Sequence, residues 1–408
     1  MNAVIPVSVM VTGKGTVSSR IKGHYSRKRP SKFTEIFRPV IFWNITYKCN
    51  LRCSHCYIDA TLSEKPGELN EEELLRIADD IVKHGIPLVV VTGGEPLASK
   101  KFWVLAEYLS STKKPKWSLS TNGTLIDEDV ATKLATLGVS YVGVSLDSVN
   151  PLEHDRFRGV RGAFEAAIRG IRESLAAGLD TGIRMTLTKT NIDGAHEILK
   201  MARDLGVQRV SLYLLDSIGR ASNMLTEFPT HEQMKNLADK LIKESKTMEG
   251  EPEVLIVRGN FIGIYVADKL SRSREDFLEY LRMIGSQGDC GRKTLSIYPD
   301  GRVKPCQFLE QYTIGNLKTQ KISDILSPRN KLLAPFLKVY EMLGGKKCSN
   351  CPFKIVCGGG SRNRAYIATG DFWGDDPLCF LNPLEIANKW NIDEEDVASV
   401  VDNHDIEV

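Results

Sequence analysis

From Val40 to about Leu215 the chain alternates short β-type runs with stretches of helical periodicity, and this alternation restricts the fold more than any other feature. Strands are predicted over Val40–Thr46, Leu88–Thr92, Trp117–Thr121, Tyr141–Leu146, Ile183–Leu187 and Arg209–Leu214. Helices are predicted over Glu72–His84, Phe102–Ser110, Asp127–Leu137, Ala163–Ala177 and Gly194–Leu205. In the first of these, Leu74, Leu75, Ile77, Ala78 and Ile81 fall on one face. Repeated strand–helix units fold into a parallel sheet with right-handed crossovers. Six such units predict an α/β fold, an open, partial (β/α)6 barrel of TIM type. In such sheets ligands bind at the carboxyl ends of the strands.

The chemistry-bearing motifs all fall at those ends. After the first strand comes Cys49-Asn50-Leu51-Arg52-Cys53-Ser54-His55-Cys56-Tyr57, with cysteines spaced C-x3-C-x2-C. Three thiolates on one short loop can hold three irons of a cubane cluster and leave the fourth iron without a protein ligand. A structural zinc knuckle is the rival, but zinc wants a fourth ligand, and His55 would have to fold back to supply it. Thr92-Gly93-Gly94-Glu95-Pro96-Leu97 follows the second strand, its glycines permitting close approach of backbone to a ligand and Glu95 adding a carboxylate. Ser120-Thr121-Asn122-Gly123-Thr124 closes the third strand, where small polar side chains can line a cleft or simply form a turn. Ser145-Leu146-Asp147 ends the fourth, followed by His154-Asp155-Arg156-Phe157-Arg158-Gly159. Arg184 stands among apolar neighbours on the fifth strand and needs a partner, either a ligand carboxylate or an internal salt bridge. Ser217-Ile218-Gly219-Arg220-Ala221 follows the sixth.

Residues from about Pro229 to Gly285 read as helices and a connecting region. Beyond them the cysteines resume. Cys290 and Cys306 bracket a hairpin signal, Pro299-Asp300-Gly301 between Thr294–Tyr298 and Arg302–Lys304. Cys348, Cys351, Cys357 and Cys379 supply four thiolates, enough to saturate a cluster; structural zinc is again the rival. A small Cys-rich α+β domain is therefore predicted after the barrel. Nine cysteines in three groups, in a chain neither small nor evidently secreted, suit metal clusters in a reducing cytoplasm better than a disulfide framework. A net charge of +3 does not imply nucleic acid, and the basic run of Lys22, Arg27, Lys28, Arg29 and Lys32 reads as a solvated lead-in. No apolar run reaches the roughly eighteen residues of a membrane span, and the apolar start is not read as a signal peptide.

The three-cysteine loop ending in Cys-Tyr resembles the radical S-adenosylmethionine (radical SAM) superfamily, and the later cysteines resemble its SPASM C-terminal domain. Phe42-Trp43-Asn44, Pro66-Gly67-Glu68-Leu69, His154–Arg158 and the tail Gly358–Tyr366 with Asp375–Cys379 are similar to the siroheme-dependent heme and heme d biosynthesis group, over about Arg38 to Leu381. The resemblance divides the chain into a lead-in (1–37), a radical SAM core (38–228), a helical connection (229–285), a SPASM-like domain (286–385) and a tail (386–408). It implies a [4Fe-4S] cluster on Cys49, Cys53 and Cys56 whose open iron binds S-adenosylmethionine. It implies cofactor contacts from Tyr57, Gly93, Gly94, Glu95, Ser120, Asn122, Ser145, Arg158 (Arg156 the alternative) and Arg184. An auxiliary [4Fe-4S] cluster would sit on Cys348, Cys351, Cys357 and Cys379. A second is doubtful, because the further cysteine of the pattern is Ser361 here, leaving Cys290 and Cys306, which could equally be free thiols.

The implied activity is that of a cytoplasmic oxidoreductase or lyase. A reduced cluster would cleave S-adenosylmethionine to a 5′-deoxyadenosyl radical that abstracts hydrogen from the substrate, with no catalytic residues beyond cluster and cofactor. The resemblance implies a tetrapyrrole substrate in heme biosynthesis, with Arg184, Arg220, Arg362 and Arg364 as candidate substrate contacts. It also implies a ferredoxin- or flavodoxin-like electron donor, and neither nucleic acid nor membrane as partner. Two other readings are a maturase acting on a peptide or protein-bound cofactor, and a non-catalytic iron–sulfur scaffold. The region before Arg38 shows no wing-like strand–helix pattern, which weighs against the maturase.

Overall fold

Strands buried on both faces need apolar residues at every position, and the first two strands of the barrel show where each face goes. Ile41, Trp43, Val89 and Val91 join the core formed with Leu74, Ile77 and Ile81 of the helix Glu71–His84, while Val40, Phe42, Leu88 and Val90 form a separate cluster on the opposite face. That second face is the inside of the barrel. The helix itself is fixed at both ends. Asn70 and Glu73 make reciprocal capping bonds, and Gly85 closes the last turn in the left-handed conformation.

The computed structural model describes residues 4–15, 37–112, 114–284 and 290–400. The basic run Lys22–Lys32 and residues 401–408 lie outside the described residues. The strands are β1 (Val4–Ile5), β2 (Val40–Asn44), β3 (Leu88–Thr92), β4 (Lys116–Thr121), β5 (Val142–Ser145), β6 (Thr181–Leu187), β7 (Arg209–Leu214), β8 (Glu253–Val257), β9 (Thr294–Ile297), β10 (Arg302–Lys304) and β11 (Gly315–Asn316). They form one sheet in the order β1-β8-β7-β6-β5-β4-β3-β2-β9-β10-β11. β2 to β7 are the six predicted strands, paired in parallel with neighbours in sequence. The five predicted helices also form, each within two residues of its expected ends.

Three features correct the sequence reading. The connecting region is not all helical, because β8 adds in parallel to β7 between the helices His231–Thr247 and Asn260–Leu270. The lead-in does contain a strand and a helix. β1 pairs antiparallel with β8, and in the helix Val7–Thr12 the side chains of Val7, Val9 and Met10 are buried. Finally, the Cys-rich segment is not separate from the sheet: β9 lies parallel to β2, and β10 and β11 extend that edge. The described part of the tail carries the helices Pro383–Trp390 and Glu394–Ser399, anchored by Trp390 stacked on Phe277 and by buried Val397. Among the described residues no helix is long and apolar enough to cross a membrane.

Ile256 is fully buried in β8. Ile256→Ala should therefore lower stability by about 2–5 kcal/mol in chemical denaturation; an unchanged midpoint would contradict β8 as a core strand.

Candidate functional site

The segment 45–61 that carries the first three cysteines has neither helix nor strand, so its backbone groups are satisfied by one isolated bridge between Lys48 and Thr61 and by neighbouring elements. Cys49 N donates to Thr61 O (2.7 Å), and Arg52 N and Ser54 N donate to Arg158 O and Phe157 O (3.0 Å each) at the end of the helix Pro151–Arg158. Arg220 Nε and Nη1 donate to Cys53 O (2.9 Å) and Ala60 O (2.7 Å). Gly94 N and Glu95 N donate to Thr46 O and Lys48 O (2.8 Å each). A Cβ on Gly94 would collide with Lys48 O, and one on Gly93 would lie 2.8 Å from Thr46 O. The Gly-Gly pair thus first serves close approach of two backbone segments. The His55 ring stacks on Phe157, centroids 4.0 Å apart.

The three sulfurs line a cleft of about 1060 Å³ at the carboxyl ends of the strands. Tyr57, Gly93, Gly94, Ser120, Asn122, Ser145, Arg158, Arg184 and Arg220 line it too. Leu51 N and Ala60 N donate to Cys49 Sγ and Cys56 Sγ (3.3 Å each), and Arg158 Nη1 lies 3.7 Å from Cys53 Sγ. Burial pushes the Cys49 thiol up to about 12 and the Cys53 thiol upward, the latter against the nearby Arg158 charge. Deprotonated sulfurs here call for positive charge among them, which iron supplies.

Arg158, not exposed Arg156, faces the cleft. It pairs with Asp147 at 2.6 Å, and Asp147 also accepts from Thr186 N (2.9 Å). Burial raises the Asp147 carboxyl, but Arg158, His55, His154 and the Thr186 N–H together outweigh it and hold the group below the usual carboxylate range. Burial pushes the neighbouring His154 imidazole down to about 4, so it accepts from Asp147 N (3.2 Å) as a neutral ring.

Glu95 does not line the cleft. It is fully buried, and its oxygens accept from Leu97 N (3.1 Å), Thr121 Oγ1 (2.8 Å) and Asn122 N (2.8 Å), bracing the end of β4. Arg362 and Arg364 lie elsewhere as well. Arg362 donates to the carbonyls of Gly359, Phe372 and Gly374, and Arg364 pairs with Asp376 at 2.7 Å, so both are held inside the Cys-rich lobe. Arg220 lines the cleft, but its donors go to the cysteine loop and Asp59. The sequence reading missed Thr186, Tyr213, Asp216, Gln307 and Phe308. Position gives a signal for the first three, which lie at or just after the ends of β6 and β7; Gln307 and Phe308 give none.

Cys348, Cys351, Cys357 and Cys379 ring a smaller space of about 390 Å³ with Lys347 and Lys354. Asp375 accepts from Cys348 N (2.8 Å) and Lys347 N (3.0 Å) and fixes that loop. Burial pushes the Cys348 and Cys351 thiols up to about 12. Among the described residues no three Cys, His, Asp or Glu side chains are grouped as ligands of one metal ion would be. Four sulfurs around an open space fit a multi-iron cluster better than one zinc.

Residues 43–207 match the radical SAM superfamily, and residues 289–352 match SPASM, an iron–sulfur cluster-binding domain. The chain is 35% identical to the Fe-coproporphyrin III synthase of Methanosarcina barkeri over 94% of its own length and 99% of that protein. It is 32% identical to the pre-heme d1 synthase of Dinoroseobacter shibae, over 90% of this chain and 93% of that one. The chain belongs to the radical SAM superfamily. Its fold is also that of Streptococcus suis SuiB bound to S-adenosylmethionine, with a TM-score of 0.65 at 17% identity, covering 85% of this chain and 78% of that one.

A radical SAM enzyme of this kind uses a [4Fe-4S] cluster with S-adenosylmethionine, and its SPASM domain is one that binds auxiliary iron–sulfur centres, of which a complete set of ligands is present for one. The second SPASM position does not fit a cluster here. The sulfurs of Cys290 and Cys306 lie side by side. Ser361 Oγ is bonded to Asp216 (2.8 Å), and the Arg258 guanidinium lies between, 3.2 Å from Cys290 Sγ. A fixed cation stands where cluster ligands would have to converge.

Glu95→Ala would leave Thr121 Oγ1, Asn122 N and Leu97 N without their buried acceptor. It should cost about 3 kcal/mol even in the metal-free protein; a loss seen only with S-adenosylmethionine bound would instead make Glu95 a ligand contact.

Proposed function

We propose that this radical SAM enzyme modifies the side chains of a tetrapyrrole in heme biosynthesis. The observation that carries the reading is similarity over nearly the whole chain, through both cysteine territories, to relatives named for making Fe-coproporphyrin III and pre-heme d1. When bound, the cluster and S-adenosylmethionine supply a 5′-deoxyadenosyl radical able to abstract hydrogen from an unactivated carbon. The chain's own residues bind and orient. Cys49, Cys53 and Cys56 would hold the cluster, and Ser145 and Arg158 would receive the methionyl carboxylate, with Asp147 aligning the guanidinium. Tyr57, which donates to Asn44 Oδ1 (2.5 Å) and accepts from Gln307 Nε2 (3.0 Å), ties the cysteine loop to the segment after β10. Glu95 would act through Asn122, keeping the β4 end in register with the cleft.

Cys348, Cys351, Cys357 and Cys379 would hold a closed auxiliary cluster. With every iron ligated by protein it cannot take substrate without losing a ligand, which suits electron relay. A low-potential donor of ferredoxin or flavodoxin type, in a reducing cytoplasm, completes the proposal.

The test is anaerobic reconstitution, reduction with S-adenosylmethionine and a carboxylated tetrapyrrole, and assay of both 5′-deoxyadenosine and tetrapyrrole mass. Wild type should give 5′-deoxyadenosine and a shifted mass, and Cys53→Ala neither. Cleavage of S-adenosylmethionine that no tetrapyrrole stimulates, with no mass change, would overturn the substrate assignment.

A further inference from the structure

Beneath the cofactor cleft lies a second cavity, inside the barrel. The two spaces share Arg184, Tyr213, Gln307 and Phe308 and so adjoin. Among the described residues lining this inner chamber are three arginines, Arg184, Arg209 and Arg258, and no aspartate or glutamate. The remaining wall is mostly aromatic and aliphatic, with Phe42, Tyr141 and Phe308 among its rings.

The three cations differ. Arg209 is paired with Glu253 at 2.9 Å and forms a neutral couple. Arg258 Nε and Nη2 donate to Asp216 (3.1 and 2.9 Å) and Nη2 also to Ser361 (2.8 Å), whereas among the described residues Nη1 donates to the sulfurs of Cys290 (3.2 Å) and Cys306 (3.7 Å). Sulfur is a weak acceptor, so one edge of this guanidinium is poorly satisfied. Its backbone is held at φ 68°, a left-handed conformation uncommon outside glycine, with its carbonyl accepting from Arg364 Nη2 (2.8 Å). Strain of this kind persists where the surroundings fix it, often at binding sites. Arg184 donates through Nη1 to Ser120, but among the described residues its buried Nε has no hydrogen-bond partner. Gly143 leaves it room, since a Cβ there would lie 2.7 Å from Arg184 Nε.

Buried guanidinium edges facing an apolar chamber without acids suit a ligand that brings its own carboxylates. We propose that this chamber receives the substrate, and that Arg184 on β6 and Arg258 after β8 clasp carboxylates of a flat, largely apolar macrocycle. The inference rests on the tetrapyrrole reading and adds where, and by which groups, the ligand is held.

Binding to the cluster-loaded, unreduced protein tests it, with a free-acid tetracarboxylate porphyrin and its tetramethyl ester as probes. Wild type should prefer the acid by about tenfold or more. Arg258→Gln and Arg184→Gln should each cut that preference severalfold while leaving ester affinity unchanged, and Arg258→Lys should largely restore it. Unaltered iron content and cluster absorbance certify folding; if Arg258→Gln loses iron, Arg184→Gln alone decides. An acid preference that survives neutralisation of these arginines, or wild type that binds acid and ester equally, overturns the chamber assignment while leaving the tetrapyrrole reading intact. Wild type that binds neither probe overturns both.

Discussion

Everything in the site depends on a loop that has only a single bridge, Lys48 to Thr61, of its own. Three sulfurs must face one cleft, and the backbone carrying them must still find partners for its buried N–H and C=O groups. Those partners come from the ends of neighbouring elements: the helix Pro151–Arg158, the turn at Gly219-Arg220 and the turn at Gly93-Gly94. Gly159 at φ 73° and Gly219 at φ 58° are part of this constraint, because a side chain at either would run into carbonyls of the cysteine loop. The loop is therefore only as well placed as the barrel around it. Its chemistry and the parallel sheet are one design.

Buried charge links that barrel to the Cys-rich lobe. Asp216, just after β7, accepts from Ser361 (2.8 Å), Asn363 (2.9 Å) and Arg258 (2.9 Å), and Arg364 bridges from Asp376 toward the same carboxylate. Such groups are costly to bury singly, and removing one partner of a buried pair typically costs about 3–5 kcal/mol. The network holds the end of β7, the end of β8 and the helix Arg362–Thr369 in one arrangement. Continuity of the sheet through β9 fixes the opposite edge. The lobe bearing the four-cysteine site is thereby attached to the barrel on two sides.

The parts legible in the sequence were those with local signals. β2 to β7 are apolar runs bounded by turns, and the cysteines announce themselves by spacing. β8 was lost because Glu253–Val257 is a short run lying between strong helical patterns, and β1 because two residues carry no periodicity. Arg362 and Arg364 were misjudged for a different reason. Composition marks an arginine as an anion binder, but only the fold reveals that Asp376 and backbone carbonyls already occupy it. Asp216 and Ser361, 145 residues apart, meet only in three dimensions. The carboxylate of Glu95 likewise looks like a ligand contact until Thr121 and Asn122 are seen to claim it.

The central claim is a division of labour: an open cluster on the barrel loop, a closed one on four cysteines, and a cation in place of a third. Mössbauer and EPR spectroscopy of the anaerobically reconstituted protein, with and without S-adenosylmethionine, tests it most directly. The account predicts about eight irons per chain, as two [4Fe-4S] clusters, with S-adenosylmethionine perturbing one of them and Cys53→Ala abolishing that one. A third cluster, zinc on the four-cysteine site, or spectra indifferent to S-adenosylmethionine would contradict it.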